Sequence, residues 1–273
     1  GVPVPAAEVM SRVQADVIAG QGPDIAQIIF ADLGYLVENF GVPALDDITP
    51  AAELEAHLEG MFPRGIELAR LDGSLYGLAY VFSTPVLFYN ADLFDAAGLD
   101  YPTDTWTWDD AVEAAAAITD LGDDVWGLFS PVQFWEFYKK AGQQGDCEFF
   151  NEDMTESTLN SEGCVEALET MISFIEQGVM PSAAQLSGVS EGELFMSGNL
   201  GMLVTGIWMF GAFADVDFTW DVQIEPAMNQ HGHHFFANGV AVSASTRHPE
   251  AAAKWAEFLT ASEIAATVRV ESG

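Results

Sequence analysis

The chain has 273 residues, of which 49% are hydrophobic and 18% charged, and its 42 acidic against 8 basic residues give a formal net charge of -34. This length and apolar fraction exclude a disordered chain and allow a large core divided between two lobes. The negative charge excludes nucleic-acid binding and attachment to anionic lipid, because phosphate contacts need clustered lysine and arginine side chains.

The acidic residues are scattered through every predicted helix instead of being gathered in one run. This pattern favours a solvated acidic surface, on which salt screens the repulsion over roughly 3 to 10 Å, over a site that attracts cations. No secretory signal is visible at Gly1, and no apolar stretch reaches the roughly 20 residues of a membrane span, so a soluble chain is expected.

Helical and strand patterns alternate along the chain. A helix is predicted over residues 6–19, and the apolar "DIAQIIF" after it is interpreted as a short buried strand. Later helices are predicted in "WTWDDAVEAAAAIT", capped by Thr107, in "SEGCVEALETMISFIEQG", ended by Gly178, and in "RHPEAAAKWAEFLT", begun by Pro249. Strands are predicted in "YGLAYVF", "LGMLVTG" and "NGVAVSA", and the alternation indicates an α/β fold with covered sheets.

Two cysteines, Cys147 and Cys164, enclose a short, acidic segment rich in turn residues. In an oxidising compartment they could close a loop that stabilises the fold by roughly 3 kcal/mol in the chain-entropy estimate. Two free buried thiols are the alternative, and the sequence does not decide between them.

Motifs for catalysis or metal binding are few. "GVSEG", residues 188–192, has the spacing of a nucleophile elbow, but no strand precedes its serine, so a polar loop before the helix "ELFMSG" is expected. "HGHH", residues 231–234, could hold a transition metal, but a solvated hairpin turn between the strands "DVQIEPA" and "FFANGVAVS" is favoured. No phosphate loop or metalloprotease motif occurs, and we predict no enzyme activity, no metal and no cofactor.

Aromatic clusters give a better indication of function. "FWEFY", residues 134–138, and "GIWMF", residues 206–210, place bulky rings just after turns. Sugar rings stack their apolar C–H faces on such aromatic planes. Phe137 and Phe210 are interpreted as ordinary core residues.

Four stretches of sequence carry a family pattern in a consistent order: "VQADVIAGQGPDIAQI", "LDGSLYGLAYVFSTPVLFYNADLFDAAGLDYPTDTWTWDDAVEAAAAIT", "MSGNLGMLVTGIWMFGAF" and "NGVAVSASTRHPEAAAKWAEFLTASEIA". Together they resemble the extracellular solute-binding proteins of carbohydrate-type ABC transporters, the group that includes the maltose-binding protein. The resemblance implies a two-lobed α/β fold of the periplasmic-binding-protein type (type II-like), with a ligand cleft between lobes joined by hinge strands. It also implies that the family's first strand and last helices are missing from this chain.

The resemblance assigns residues 1–82 and 240–273 to the first lobe and 83–239 to the second, with hinge crossings near 83–89 and 236–239. Ser83 and Thr84 would then face ligand, because hydroxyls buried without partners are unfavourable whereas those of a wet cleft can bond a polyol. Trp208 would lie flat against a sugar, and Asp32 would either bond sugar hydroxyls or cap a helix. The full set of implied contacts is Trp208, Ser83, Thr84, Phe82, Asp32, Phe30, Phe134, Trp135, Asn238 and Gly239.

The expected function is capture of a neutral saccharide outside the cytoplasm by a monomer, with or without a lipid anchor, and its delivery to an ABC permease by lobe closure. A phosphorylated ligand such as glycerol phosphate is disfavoured, because the few basic residues mostly fall on apparent helices or surface turns. The alternatives are a polyamine or other cation, held by aromatic walls and carboxylates, and, more remotely, a hydrolase.

Overall fold

The computed structural model of the chain describes residues 6–272 and divides them into two compact units. The first unit comprises the described residues up to Ser83 together with those from Phe235 onward, and the second is Thr84–His234. Sequence analysis placed the return to the first lobe after residue 239. In the structure the returning strand already pairs with strands of the first unit from Phe236.

The first unit is built around a three-stranded sheet. The segment of this unit that ends at Ser83 contains α1 (Ala6–Ile18), β1 (Ile25–Ile29), α2 (Leu33–Phe40), α3 (Ala51–Leu58), α4 (Pro63–Leu68), β2 (Arg70–Leu71), β3 (Ser74–Leu75) and β4 (Leu78–Ser83). The strand β1 was predicted to be buried, but of its five residues only Ile28 is buried. The reason is that β1 lies at an edge of the sheet, where it has a neighbour on one side only.

The second unit is built around a four-stranded sheet whose strand order is β6-β7-β5-β8. Its elements are β5 (Pro85–Asn90), α5 (Ala91–Ala97), α6 (Trp108–Thr119), β6 (Trp126–Phe129), α7 (Phe134–Tyr138), a π-helix (Lys139–Gln144), α8 (Glu162–Glu176), α9 (Ala183–Leu186), α10 (Glu191–Met196), β7 (Leu200–Gly206), α11 (Phe210–Phe213) and β8 (Trp220–Gln223). All seven residues of β7 are buried, which fits its central position and a sequence in which Thr205 is the one polar residue.

The chain returns to the first unit through β9 (Phe236–Val242), α12 (Pro249–Ala261) and α13 (Glu263–Ser272). β9 takes the centre of the first sheet and pairs antiparallel with β1 and with β4. The core of this unit combines residues from both parts of the chain: Ile28, Leu33, Leu36, Leu45, Leu54, Leu75, Leu78, Val240, Val242, Ala252 and Ala256. No helix within residues 6–272 is long and apolar enough to cross a bilayer.

Local signals fixed several helix ends as predicted. The Thr107 hydroxyl accepts the amide of Asp110 in a capping box at the start of α6, and Pro249 is the first residue of α12. Gly178 follows α8 with φ +72°, a conformation that favours glycine. In "GVSEG", Ser190 caps α10 by accepting the amide of Glu193, so this serine has a structural role.

The histidine segment is not the hairpin turn that the sequence suggested. β8 pairs with β5 in the second unit, whereas β9 pairs with β1 and β4 in the first. The segment 231–234 therefore connects two different sheets. Among the described residues, no group of three or more histidine, cysteine or carboxylate side chains is arranged to hold a metal ion.

A disulfide joins Cys147 to Cys164 across a sequence separation of 17 residues. Both cysteines are buried and pack beside Ala141, Ala167 and Phe149 in a small cluster of the second unit. Replacing both cysteines by serine should lower the free energy of unfolding by about 3 kcal/mol, because the unfolded chain regains the freedom that the loop removes. Denaturant unfolding measures this loss, and a reducing agent should produce a similar loss in the unaltered protein. Unfolding that is insensitive to both changes would contradict a stabilising disulfide.

Candidate functional site

The second unit brings two of the predicted aromatic contacts to one edge of its sheet. β6 and β7 are parallel, with Phe129 opposite Leu203, so their carboxyl ends lie at the same edge. Phe134 follows the end of β6 and Trp208 follows the end of β7. Loops at the carboxyl ends of neighbouring parallel strands are a common place for a ligand in α/β proteins.

Thr84 lies at this same edge. β5 runs antiparallel to β7 and begins at Pro85, which is paired with Gly206. The amide of Ile207 donates to the carbonyl oxygen of Thr84 at 3.2 Å, which fixes Thr84 beside the segment that carries Trp208. The Thr84 hydroxyl is half-buried and donates to the carbonyl of Pro85 at 3.4 Å. We call this group of Thr84, Phe134 and Trp208 the second-unit edge.

The aromatic residues near the second-unit edge differ in exposure. Phe134 is 74% exposed and Trp208 54% exposed, whereas Trp135 is half-buried and its indole N–H donates to Oε1 of Gln133 at 2.8 Å. Phe137 is half-buried and packs edge-on against Phe149, in line with its interpretation as core. Phe210 was also interpreted as core; it stacks on Trp220 and meets Phe88 edge-on, but it remains 41% exposed.

Four buried charges anchor the helix that begins at Phe134. Lys139 donates to Glu136 at 2.9 Å and to Glu225, and Lys140 donates to Glu136 and to the Ser130 hydroxyl at 3.1 Å. None of the four charged side chains is more than 1% exposed. Two ammonium groups and two carboxylates thus neutralise one another in the interior, and we call them the charge quartet.

Burial and pairing shift the pKa values of the charge quartet. Burial alone would raise the pKa of Glu136, but the ammonium groups of Lys140 and Lys139 outweigh it and hold the pKa below its ordinary value. Burial and the neighbouring Glu136 raise the pKa of Glu225. Burial lowers the pKa of Lys140, whose ammonium lies 3.9 Å from the ring centroid of Trp108.

The charge quartet corrects an expectation from the sequence. Lys139 and Lys140 were placed with the basic residues on apparent helices or surface turns, and they do follow a helix, but both are buried. The signal that sequence reasoning missed is the spacing from Glu136, which puts the lysines three and four residues later on the same helical face.

The first unit also brings predicted contacts to one edge of its sheet. β1 ends at Ile29, opposite Asn238, and β4 ends at Ser83, opposite Phe236. The half-buried Asn238 therefore lies beside the end of β1, after which Asp32 follows, and the half-buried Ser83 ends β4 on the other side of β9. Asp32 occupies the N-cap position of α2, but its side chain makes no capping hydrogen bond. We call Asp32, Ser83 and Asn238 the first-unit edge.

Two residues expected to contact ligand are buried within the first unit. Phe30 is 6% exposed and packs with the buried side chains of that core. A Cβ built on Gly239 would overlap the ring of Phe30 and would lie 2.6 Å from the carbonyl oxygen of Leu78. The absence of a Cβ at Gly239 thus permits this close internal approach, and contact of Phe30 or Gly239 with a ligand stays a prediction.

A group of three phenylalanines in the first unit was only partly anticipated. The rings of Phe62, Phe82 and Phe235 lie 5.3 to 5.6 Å apart in all three pairs, and Phe62 and Phe82 are 53% and 54% exposed. Phe62 and Phe82 help to line a cavity of about 330 Å³ within this unit. Sequence analysis named Phe82 alone. Phe62 comes just after a turn at Glu59 and Gly60, and the signal used for "FWEFY", a bulky ring just after a turn, would have found Phe62 as well.

The fold defines the class of this protein: an α/β protein of two compact units, each built around its own sheet. The chain belongs to the bacterial extracellular solute-binding protein family, whose sequence pattern matches residues 2–269. This confirms the family and the two-lobed α/β class predicted from the sequence, and the extracellular location that they implied.

The chain is similar to several binding proteins of this kind. It is 26% identical over 270 residues to the arabinooligosaccharide-binding protein of Bacillus subtilis (strain 168), covering 95% of this chain and 61% of that protein. An ABC substrate-binding protein from Listeria monocytogenes, solved in complex with cycloalternan, matches with a TM-score of 0.88 and 37% identity over 98% of this chain and 69% of the other. A solute-binding protein from Thermotoga lettingae TMO, bound with α-D-tagatose, shares the fold with a TM-score of 0.81 at 20% identity, over 97% of this chain and 69% of the other. The chain thus spans about three fifths of the length of the Bacillus relative.

Proposed function

We propose that this protein captures a neutral saccharide outside the cytoplasm and delivers it to the permease of an ABC transporter, without chemical turnover. The observation that carries the proposal is the exposed Trp208, which lies with Phe134 and Thr84 at the second-unit edge. An exposed indole offers a plane for the C–H face of a sugar, and neighbouring hydroxyls offer partners for its polar groups.

The first-unit edge supports a ligand rich in hydroxyl groups. The Ser83 hydroxyl and the Asn238 amide can each donate and accept hydrogen bonds, and the Asp32 carboxylate can accept them from two sugar hydroxyls. Neutral polyols need such a mixture of donors and acceptors, and they need no charged partner.

The distribution of basic residues argues against a phosphorylated ligand. Within Thr84–His234 the sequence contains two basic residues, Lys139 and Lys140. Both are buried in the charge quartet, where Glu136 and Glu225 neutralise them. The second-unit edge therefore has no lysine or arginine to pair with a phosphate. A phosphorylated ligand would need such a basic partner, because charge-assisted hydrogen bonds to phosphate are strong.

The names of the relatives support the same class of ligand. The Bacillus relative is named for arabino-oligosaccharides, and the Listeria structure holds cycloalternan. We therefore propose an oligosaccharide, linear or cyclic. Closure of the two lobes on the ligand and a monomeric state stay predictions. The ligand would shift the population toward the closed form only to the extent that it binds the closed form more tightly than the open form.

A calorimetric titration tests this proposal. The protein is titrated at moderate and at high salt with arabino-oligosaccharides, linear and cyclic gluco-oligosaccharides, glycerol phosphate and spermidine. We expect saturable binding of one saccharide with little dependence on salt, because no ion pair forms with a neutral ligand. If no saccharide gives a heat of binding and spermidine binds with an affinity that falls steeply as salt is added, a cation-binding function would replace the proposal.

A further inference from the structure

Gly206 is the last residue of β7 and lies directly under the indole of Trp208. A Cβ built on Gly206 would overlap the Cε3, Cζ3 and Cη2 atoms, all in the six-membered ring of that indole. The ring therefore rests on the α-carbon of Gly206, at a distance that no other residue permits.

The backbone of Gly206 does not itself require glycine. Its φ of -88° and ψ of 161° are ordinary extended values that any L-residue adopts. Glycine in the interior or at the end of a strand weakens it and often marks a close approach. The close approach of Trp208 thus accounts for the glycine, and local conformation does not.

The support beneath the indole is rigid. Gly206 is fully buried, is paired with Pro85 on β5, and belongs to a strand with neighbours on both sides. Ile207, between Gly206 and Trp208, is held by its hydrogen bond to Thr84. The indole of Trp208 therefore has sheet backbone directly beneath it. An aromatic plane fixed before binding loses little freedom when a ligand stacks on it.

We propose that Gly206 is a positioning residue for saccharide binding: it seats Trp208 in the orientation on which the sugar ring stacks. This inference rests on the proposed function. A methyl group at position 206 would displace the indole of Trp208 away from the backbone of β7, into the space where the sugar ring would stack. The strand itself would remain, because the exposed indole can move and alanine suits the extended backbone.

The test is a double-mutant cycle of Gly206→Ala and Trp208→Ala in the full chain, with calorimetric affinity for the bound saccharide as readout. Gly206→Ala should raise Kd by about threefold to tenfold, the range of a lost stacking geometry, without lowering Tm. In the Trp208→Ala background it should leave Kd unchanged. Gly211→Ala is the matched control, because a Cβ there would meet no described atom within 4 Å, and its Kd should equal that of the unaltered protein.

A second readout needs no ligand. The near-ultraviolet circular dichroism spectrum of Trp208→Ala is subtracted from that of the unaltered protein, and the spectrum of the double variant from that of Gly206→Ala. Each difference is the contribution of Trp208, and we expect the two differences to be unlike, because Gly206→Ala changes the position of the indole. An unchanged signal, or equal Kd for Gly206→Ala and the unaltered protein, would overturn the inference while leaving the proposed function intact. If the unaltered protein binds no saccharide, the proposed function fails and the binding role of Gly206 fails with it.

Discussion

Replacing Trp208 by alanine is expected to weaken saccharide binding by about 2 to 4 kcal/mol, or roughly 30-fold to 1,000-fold in Kd, the range of an aromatic residue at the centre of a binding surface. The change removes the exposed plane of the second-unit edge and leaves the hydrogen-bonding groups around it in place. Because Trp208 is 54% exposed, the fold should lose little stability. Calorimetry gives the affinity, and thermal unfolding shows whether the variant is folded.

Trp255 provides a matched control for this prediction. It is 53% exposed, lies on α12 in the first unit, and stacks on Phe258 with ring centroids 5.2 Å apart. Trp255→Ala removes the same side chain at the same exposure, far along the chain from the second-unit edge, and should leave Kd unchanged. Equal losses of affinity in both variants, or none in Trp208→Ala, would contradict the assigned role of Trp208.

Replacing Glu136 by glutamine should lower the free energy of unfolding of the second unit by about 3 to 5 kcal/mol, a large part of the stability of an ordinary domain. Glutamine has nearly the same shape but no charge, so Lys139 and Lys140 would share a single carboxylate in a fully buried site. Denaturant unfolding measures the loss. Glu169→Gln on the exposed surface of α8 makes the same chemical change and should stay within about 0.5 kcal/mol of the unaltered protein.

The pH dependence of this variant identifies the cause of its instability. Burial already lowers the pKa of Lys140, and loss of the Glu136 carboxylate lowers that pKa further. In the pH interval between this lowered pKa and the ordinary lysine pKa, the unfolded chain binds more protons than the folded one, so stability rises with pH. The deficit of Glu136→Gln should therefore shrink at alkaline pH. A deficit that is constant with pH would point to lost packing instead of an unpaired charge.

Local chemistry made much of the fold predictable. The starts of α6 and α12 were found from Thr107 and Pro249, because a cap or an N-terminal proline acts within one turn of helix. β7 was found because a strand buried on both faces is apolar throughout. The family likeness then supplied the order of the lobes, which no local signal contains.

Features that depend on distant parts of the chain were not predictable in the same way. β8 and β9 follow one another in sequence, as the two strands of a hairpin do, yet their partners lie in different sheets. Phe30 follows a strand as an exposed contact would, but its ring fills space left by Gly239 on β9. For the candidate site, aromatic residues placed after turns and the family resemblance led to the prediction of Trp208 and Phe134, whereas the close approach of the Trp208 indole to Gly206 is visible only in three dimensions.

The charge quartet also makes the amine chemistry of the protein differ between its two units. The chain contains three lysines, and Lys139 and Lys140 are enclosed in the second unit. The third, Lys254 on α12, has a side chain that is 70% exposed in the first unit. A lysine-acylating dye would therefore label the folded protein at a single lysine, on α12 of the first unit. Acylation of Lys139 and Lys140 would require the second unit to open. The same reagent would therefore attach a label to the folded protein and measure the rate at which the second unit opens.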